Sequence, residues 1–118
     1  MLYTNLKHIE SADEFERIIA ENENVNIICG RMDPFSVSAY RVAEDLEPEY
    51  AQVKFYDMEF DNPESAVIRN LPEFQDFSGF PLTIYYKNGE VVHATVGIQT
   101  KAQVTTILEH EFAITVNA

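Results

Sequence analysis

A single thiol and the residues that follow it are the part of this sequence best suited to chemistry. Cys29 ends a short apolar run, residues 25–29, whose β-branched side chains are typical of a strand buried on both faces. Asp33 and Pro34 then predict a helix start, because an aspartate caps free N–H groups and a proline fits the first helical position. A strand that leads into a helix N-terminus in this way is a common place to bind an anion or to activate a thiol.

Cys29 itself supports two interpretations. Free cysteine is among the most buried residue types, so the first interpretation is a small hydrophobic side chain in the core. As the only cysteine it excludes an internal disulfide and a two-thiol redox cycle within the chain, but a lone thiol can still act as a monothiol, with glutathione or a partner thiol. In this second interpretation Cys29 stands four residues before Asp33, where the helix dipole has little effect on a thiol.

Other residue patterns that carry chemistry are missing from the sequence. His8, His93 and His110 are scattered without the spacing of metal ligands, so we predict no metal site. The four glycines do not form a phosphate-binding loop, and no Ser-His-Asp set follows from spacing. The sequence therefore predicts no cofactor.

Length, composition and charge narrow the class of protein. The chain has 118 residues, of which 46% are hydrophobic and 24% are charged, as expected for one globular domain. A net charge of −12 argues against nucleic acid and anionic membranes as partners, and it favours solubility or a basic protein partner. No apolar run has membrane-spanning length, and residues 1–11 lack the features of a signal peptide. We therefore predict a cytoplasmic protein and leave its oligomeric state open.

The elements that position these residues follow from hydrophobic patterns and cap signals. Five strands are predicted at residues 7–9, 25–29, 53–60, 81–86 and 90–96, with helices that begin after Ser11, Asp33, Asn62 and Thr100 and a loop at residues 71–79. Ser11 and Thr100 each open a capping box. Alternation at the front predicts parallel strands, whereas Asn88-Gly89 predicts an antiparallel hairpin. The order is therefore βαβαβαββα, an α/β fold whose central mixed sheet of about five strands has helices on both faces.

This order and several segments resemble the thioredoxin family. EDLEPEY, residues 44–50, is similar to the end of the family's active-site helix, and FDNP, residues 60–63, to the end of its central strand. GFPLTIYYKNGEVV, residues 79–92, resembles the stretch with the family's cis-proline and hairpin, which makes Pro81 the cis-proline candidate. The resemblance covers residues 7–112, so it implies one thioredoxin-like domain over residues 1–118 with a short tail at 113–118.

The resemblance also locates the family's chemistry, and that chemistry is missing. Counted back from residues 49–50, the Cys-Gly-Pro-Cys motif falls on Asp33, Pro34, Phe35 and Ser36. Asp33 therefore stands where the nucleophilic thiol would be, and Ser36 where the resolving thiol would be. Neither residue can exchange with a disulfide, because thiolate is the attacking species.

Two further positions depart from the family's pattern. Ile27 stands where the family usually has a buried carboxylate, and Asp57 replaces a lysine that is common in the central strand. A buried Asp57 would need a partner such as Arg31 or a raised pKa, because an unpaired buried charge is costly. An Asp57 exposed at the end of the sheet would need neither.

A retained fold without the two thiols implies a redox-inactive thioredoxin-like protein that binds a protein or peptide partner. In the family, the backbone beside the cis-proline pairs with an extended partner segment, which requires no thiol. The predicted groove combines the helix start with the proline loop and consists of Met32, Asp33, Pro34, Phe35, Gly79, Phe80 and Pro81. Two alternatives stay open: a monothiol oxidoreductase that uses Cys29, and a structural subunit that assembles through residues 71–78 or the tail after Phe112.

Overall fold

The computed structural model describes residues 2–76 and 78–116, which form five strands and four α-helices. The strands are β1 (Lys7–Ile9), β2 (Asn24–Gly30), β3 (Lys54–Glu59), β4 (Leu82–Lys87) and β5 (Glu90–Val96). The helices are α1 (Ala12–Glu21), α2 (Pro34–Leu46), α3 (Ala66–Arg69) and α4 (Lys101–Phe112), joined in places by 3-10 turns at Glu47–Glu49, Pro63–Ser65 and Pro72–Phe74. The predicted order of elements is confirmed.

The strands form one mixed sheet in the order β1-β3-β2-β4-β5. β1 and β2 run parallel to β3, whereas β4 is antiparallel to β2 and β5 is antiparallel to β4. The β4–β5 turn places Asn88 at φ 52° and Gly89 at φ 81°, the left-handed conformations that an Asn-Gly hairpin requires. β2 lies at the centre and is buried along its whole length, as its continuous apolar run predicted.

Each face of the sheet buries its own apolar core. On one face, which we call the α2 face, Tyr40 and Leu46 of α2 pack with Leu108 of α4 against the sheet. On the opposite face, the α1 face, Ile18 of α1 and Ile68 of α3 pack against the other side of the same strands. Within the described residues, no helix has the length and apolar character needed to cross a membrane.

Two local predictions need correction. Ser11 caps α1 through the Glu14 N–H at 3.1 Å, but the Glu14 carboxylate accepts from the Glu10 N–H at 2.7 Å, so the predicted capping box is incomplete. The loop predicted at residues 71–79 contains the Pro72–Phe74 turn, because burial of the Phe74 ring in the α1-face core stabilises this segment. Residue 77 of that loop, and residues 117 and 118 of the predicted tail, lie outside the described residues.

One end of the sheet gathers the segments that carried the predicted motif. Met58, Cys29, Leu82 and Val96 form a row of paired residues across β3, β2, β4 and β5. The chain therefore leaves β2, β3 and β5, and enters β4, at this same end. The Gly97 N–H donates to the Pro81 carbonyl at 2.9 Å, which joins two of these segments directly. We call this the motif end of the sheet.

Candidate functional site

The start of α2 stands at the motif end, with the carboxylate of Asp33 as its N-cap. Asp33 Oδ2 accepts from the N–H groups of Phe35 and Ser36 at 3.2 and 3.4 Å, so the predicted cap is confirmed. The proline loop lies at the same end, and its Phe80–Pro81 peptide bond is cis. The structure thus brings the two halves of the predicted groove to one end of the sheet.

Exposed apolar side chains converge on this end. Met32 and Phe35 are 42% and 57% exposed, and Val96 and Ile98, which lie at and just beyond the end of β5, are 38% and 48% exposed. These four residues, which we call the apolar rim, lie at the motif end, where the Gly97 N–H bond to the Pro81 carbonyl places Val96 and Ile98 beside the proline loop. A shallow cleft of about 550 Å³ continues from Met32 and Pro34 along the outer side of α2. Several large exposed apolar residues at one end of a sheet are typical of a binding site.

Phe80, one of the predicted groove residues, also makes contacts that hold the proline loop in place. Its ring is half-buried, lies edge-on to Phe60 with centroids 4.7 Å apart, and carries the Arg31 guanidinium 4.6 Å from its centroid. Arg31 also makes two hydrogen bonds of 2.8 Å to the Asp61 carboxylate. Phe80 therefore helps to fix the proline loop to the end of β3, and only part of its surface is left for a partner.

Ser36 is a buried structural residue. Its side chain is 0% exposed, and its hydroxyl accepts from the Arg31 N–H at 3.3 Å. The Tyr40 hydroxyl donates to the Arg31 carbonyl at 2.9 Å, which closes a compact polar corner beneath the helix start. A Cβ on Gly30 would lie 2.7 Å from both hydroxyl oxygens, so only glycine fits at that position. The position that the resemblance gives to a resolving thiol thus holds a hydroxyl that ties the end of β2 to α2.

Cys29 does not reach the apolar rim. It is 0% exposed and belongs to the α1-face core, on the other side of the sheet from Ser36 and Tyr40. Burial raises the pKa of its thiol to about 12, although a hydrogen bond with Ser65 acts in the opposite direction. A thiol with that pKa supplies very little thiolate at neutral pH.

A buried carboxylate whose exposure the sequence does not settle lies on the α2 face. Asp57 is 0% exposed, accepts from the Thr4 hydroxyl at 2.5 Å, and is bonded to His8 Nδ1 at 2.6 Å. Arg31, the example of a partner that the sequence offered, is held by Asp61 instead, whereas the alternative of a raised pKa is found. Burial raises the pKa of Asp57, while the Thr4 and His8 hydrogen bonds act to lower it. His8 is part-exposed and borders a surface cleft of about 320 Å³.

We expect Asp57→Asn to change how stability depends on pH. Because the pKa of Asp57 is raised in the folded protein, the folded state holds this proton to a higher pH than the unfolded state does. The Asp57 contribution to the free energy of unfolding is therefore present below the unfolded pKa of about 4 and is lost as the pH rises through the folded pKa. Urea titrations at a series of pH values should show that wild type loses stability relative to the variant as the pH rises above about 4. The total loss should be about 1.4 kcal/mol for each unit by which folding raises the Asp57 pKa.

His8→Gln provides the control for this pH dependence. The His8 hydrogen bond lowers the Asp57 pKa, so its removal should deepen the loss of stability with rising pH. A wild-type protein that instead gains stability over Asp57→Asn as the pH rises would contradict the expected direction of the Asp57 pKa shift.

Metal ligands do not converge in the described part of the chain. Among residues 2–76 and 78–116, no three His, Cys, Asp or Glu side chains are placed to hold a metal ion. His8 pairs with Asp57, and His93 Nδ1 lies 3.0 Å from the Glu111 carboxylate, so both of these histidines have carboxylate partners.

Comparison with known proteins gives a likeness in structure only. No protein-family model and no curated protein sequence matches this chain. A thioredoxin from Plasmodium falciparum is 21% identical, with a TM-score of 0.72 over 89% of this chain and 98% of its own. A thioredoxin from Trypanosoma brucei brucei is 16% identical, with a TM-score of 0.76 over 96% of each chain. A mutant thioredoxin from Halobacterium salinarum is 15% identical, with a TM-score of 0.73 over 94% of this chain and 96% of its own.

These structures define the class: the chain is an α/β protein with the thioredoxin fold. The fold predicted from the sequence is confirmed. Its single cysteine means that this thioredoxin-fold chain carries no Cys-x-x-Cys motif.

The sequence prediction missed half of the apolar rim. The predicted groove does not include Val96 and Ile98, although they are large apolar residues on either side of Gly97 at the end of the last strand. The sequence did contain a signal: Ile98 is a large apolar residue that follows the end of a strand and belongs to no helix or strand pattern. Val96 and Ile98 lie near Pro81 because of the register between β4 and β5. The Asn-Gly turn predicts that these strands pair, but it fixes their register only approximately.

Proposed function

We propose that this protein binds a protein or peptide partner at the motif end and has no dithiol redox activity. The observation that carries the proposal is the apolar rim, four large exposed apolar side chains at the end of the sheet where the Pro81 loop lies. Scattered exposed apolar residues are normal, but several of them gathered at a helix start and one end of a sheet are characteristic of protein-binding surfaces. The partner segment would lie in an extended conformation across Met32, Phe35 and Pro81, with the 550 Å³ cleft along α2 receiving additional side chains.

The chemistry of the motif positions supports binding over disulfide exchange. Asp33 acts as a helix cap and Ser36 as a buried hydrogen-bonding residue, so each has a structural role that involves no thiol. Cys29 is buried on the α1 face of the sheet, opposite the face on which Ser36 and Tyr40 lie. This position favours the interpretation of Cys29 as a core residue. A lone buried thiol also fits the reducing cytoplasm that we propose as its location.

The test is selection of binding peptides followed by substitution in the rim. Peptides are selected from a random display library on the immobilised full chain, and the affinity of the enriched peptides is measured by isothermal titration calorimetry. We expect Phe35→Ser to weaken binding by roughly thirtyfold, because truncation of a central aromatic contact typically costs about 2 kcal/mol.

Val116→Ser is the matched control for surface apolarity. Val116 is 46% exposed and follows α4, whose Phe112 carbonyl accepts from Lys87 at the opposite end of the sheet. Binding should be unchanged in this variant. The proposal would be overturned if the immobilised chain enriched no peptide beyond those enriched by an unrelated acidic protein. Equal losses of peptide affinity in Phe35→Ser and Val116→Ser would overturn it as well.

A further inference from the structure

The N-terminal residues form a strap that runs from β1 to the apolar rim. We define this N-terminal strap as residues 2–6. Leu2 and Leu6 are 5% and 3% exposed and anchor the strap in the α2-face core. Between them, the Asn5 N–H donates to the Glu44 carboxylate at 2.6 Å, and the Tyr3 N–H donates to Met32 Sδ at 3.4 Å. The strap is therefore attached to the core, to α2 and to a residue of the rim.

Asp57 positions the middle of the N-terminal strap. The Leu6 N–H donates to the Thr4 hydroxyl at 3.1 Å, so that hydroxyl uses its own proton for the buried Asp57 carboxylate. His8, the second partner of Asp57, lies in β1 directly after the strap. A backbone held by two buried anchors and a buried carboxylate has little conformational entropy left to lose when a ligand binds.

Tyr3 is the exception within this ordered segment. Its neighbours Leu2 and Thr4 face inward, but its own ring is 77% exposed, the largest exposure among the large hydrophobic side chains of the described residues. Its backbone N–H contacts Met32 Sδ, so the side chain begins beside a residue of the apolar rim. An exposed tyrosine on a rigid backbone next to other apolar residues has the properties of an interface hot spot, since few of its rotamers must be fixed on binding.

We propose that the N-terminal strap is a second wall of the binding surface and that Tyr3 contacts the partner there. This inference rests on the proposed function, because it names a further contact for the same partner. The occupant is an extended apolar segment of another protein that carries Lys or Arg side chains.

The negative charge of the surface favours a partner segment with basic side chains. The chain has 20 acidic and 8 basic residues. The strap and rim border three acidic side chains and one basic side chain, Asp33, Glu44, Asp45 and Arg41. The Arg31 guanidinium is matched by its bidentate contact with Asp61. An acidic segment would be repelled from this surface, whereas a basic one is attracted and gains speed of association.

The test uses the library-selected peptides with the full chain and compares two tyrosine variants. Tyr3→Ser should weaken peptide binding by roughly tenfold, because it removes an aromatic contact. Tyr3→Phe retains the ring and should bind within about twofold of wild type. Thr4→Val should speed hydrogen exchange of the Tyr3 and Asn5 amides and weaken peptide binding, since it breaks the bond that holds the strap to Asp57.

The outcomes separate this inference from the proposed function. Loss of binding in Phe35→Ser with full binding in Tyr3→Ser would overturn the role of the strap and leave the rim as the binding surface. No peptide binding at all would overturn both. Enriched peptides should contain Lys or Arg and bind more weakly as salt is added, whereas acidic or neutral peptides with salt-independent affinity would overturn the charge assignment.

Discussion

Alkylation of Cys29 is expected to be very slow in the folded protein and rapid after unfolding. Burial raises the pKa of the thiol to about 12, so its thiolate fraction near neutral pH is roughly a thousandfold below that of an ordinary cysteine. The side chain is also 0% exposed, which blocks the reagent. Mass spectrometry after timed iodoacetamide treatment, in buffer and in urea and across a range of pH, measures both effects.

The chain offers a clean control for this measurement because it has no other cysteine. Cys29→Ala should take up no label under either condition. Rapid labelling of the folded protein, with an apparent pKa below about 8.5, would mean an activated thiolate and would favour the monothiol oxidoreductase over a binding protein.

Disulfide reductase activity is expected to appear when thiols are introduced at both predicted motif positions. The double variant Asp33→Cys with Ser36→Cys places one thiol at the helix N-cap, where the N–H groups of residues 35 and 36 stabilise a thiolate. The second thiol replaces a hydroxyl one helical turn further on, in reach of the first. Reduction of insulin by dithiothreitol should be accelerated by the double variant and not by wild type.

Two single changes identify the origin of any gained activity. Asp33→Cys alone lacks the resolving thiol, so a mixed disulfide should accumulate and turnover should be slow. Ser36→Cys alone lacks an exposed nucleophile and should be inactive. Reduction of insulin by the wild-type chain would contradict the proposed loss of dithiol chemistry. An inactive double variant would mean that residues besides Asp33 and Ser36 also prevent dithiol chemistry. Ile27 is one such residue, because it provides no carboxylate to assist the second thiol.

Local signals in the sequence predicted the elements well. β1 and β5 have the predicted bounds, because short apolar runs between polar residues define both ends of a strand. Asp33 and Thr100 cap their helices as predicted, since a cap requires only the residues of one helical turn. At Ser11 the same logic was only half right, because the Glu14 carboxylate had a second backbone N–H, that of Glu10, within reach.

Contacts between distant residues were harder to predict. Asp57 and its partners His8 and Thr4 are separated by about fifty residues, and nothing in their spacing indicates that β1 pairs with β3. Arg31 was a reasonable partner for Asp57 by charge alone. In the folded chain β3 carries Asp61 to the end of β2, where the Arg31 guanidinium binds it in a bidentate geometry that no sequence pattern shows.

By itself, the sequence determined that this chain folds as an α/β domain with one thiol, a capped helix after its central strand, and no second cysteine for that thiol to pair with. These properties depend on residue identity and on neighbours within a few positions. Tertiary structure alone decided that Cys29 faces the α1 core, that Val96 and Ile98 lie at the same end of the sheet as the start of α2, and that the N-terminal strap brings the Tyr3 backbone to Met32. The physical reason is that strand order and register set which distant side chains share a face, and both are decided by the packing of the whole sheet.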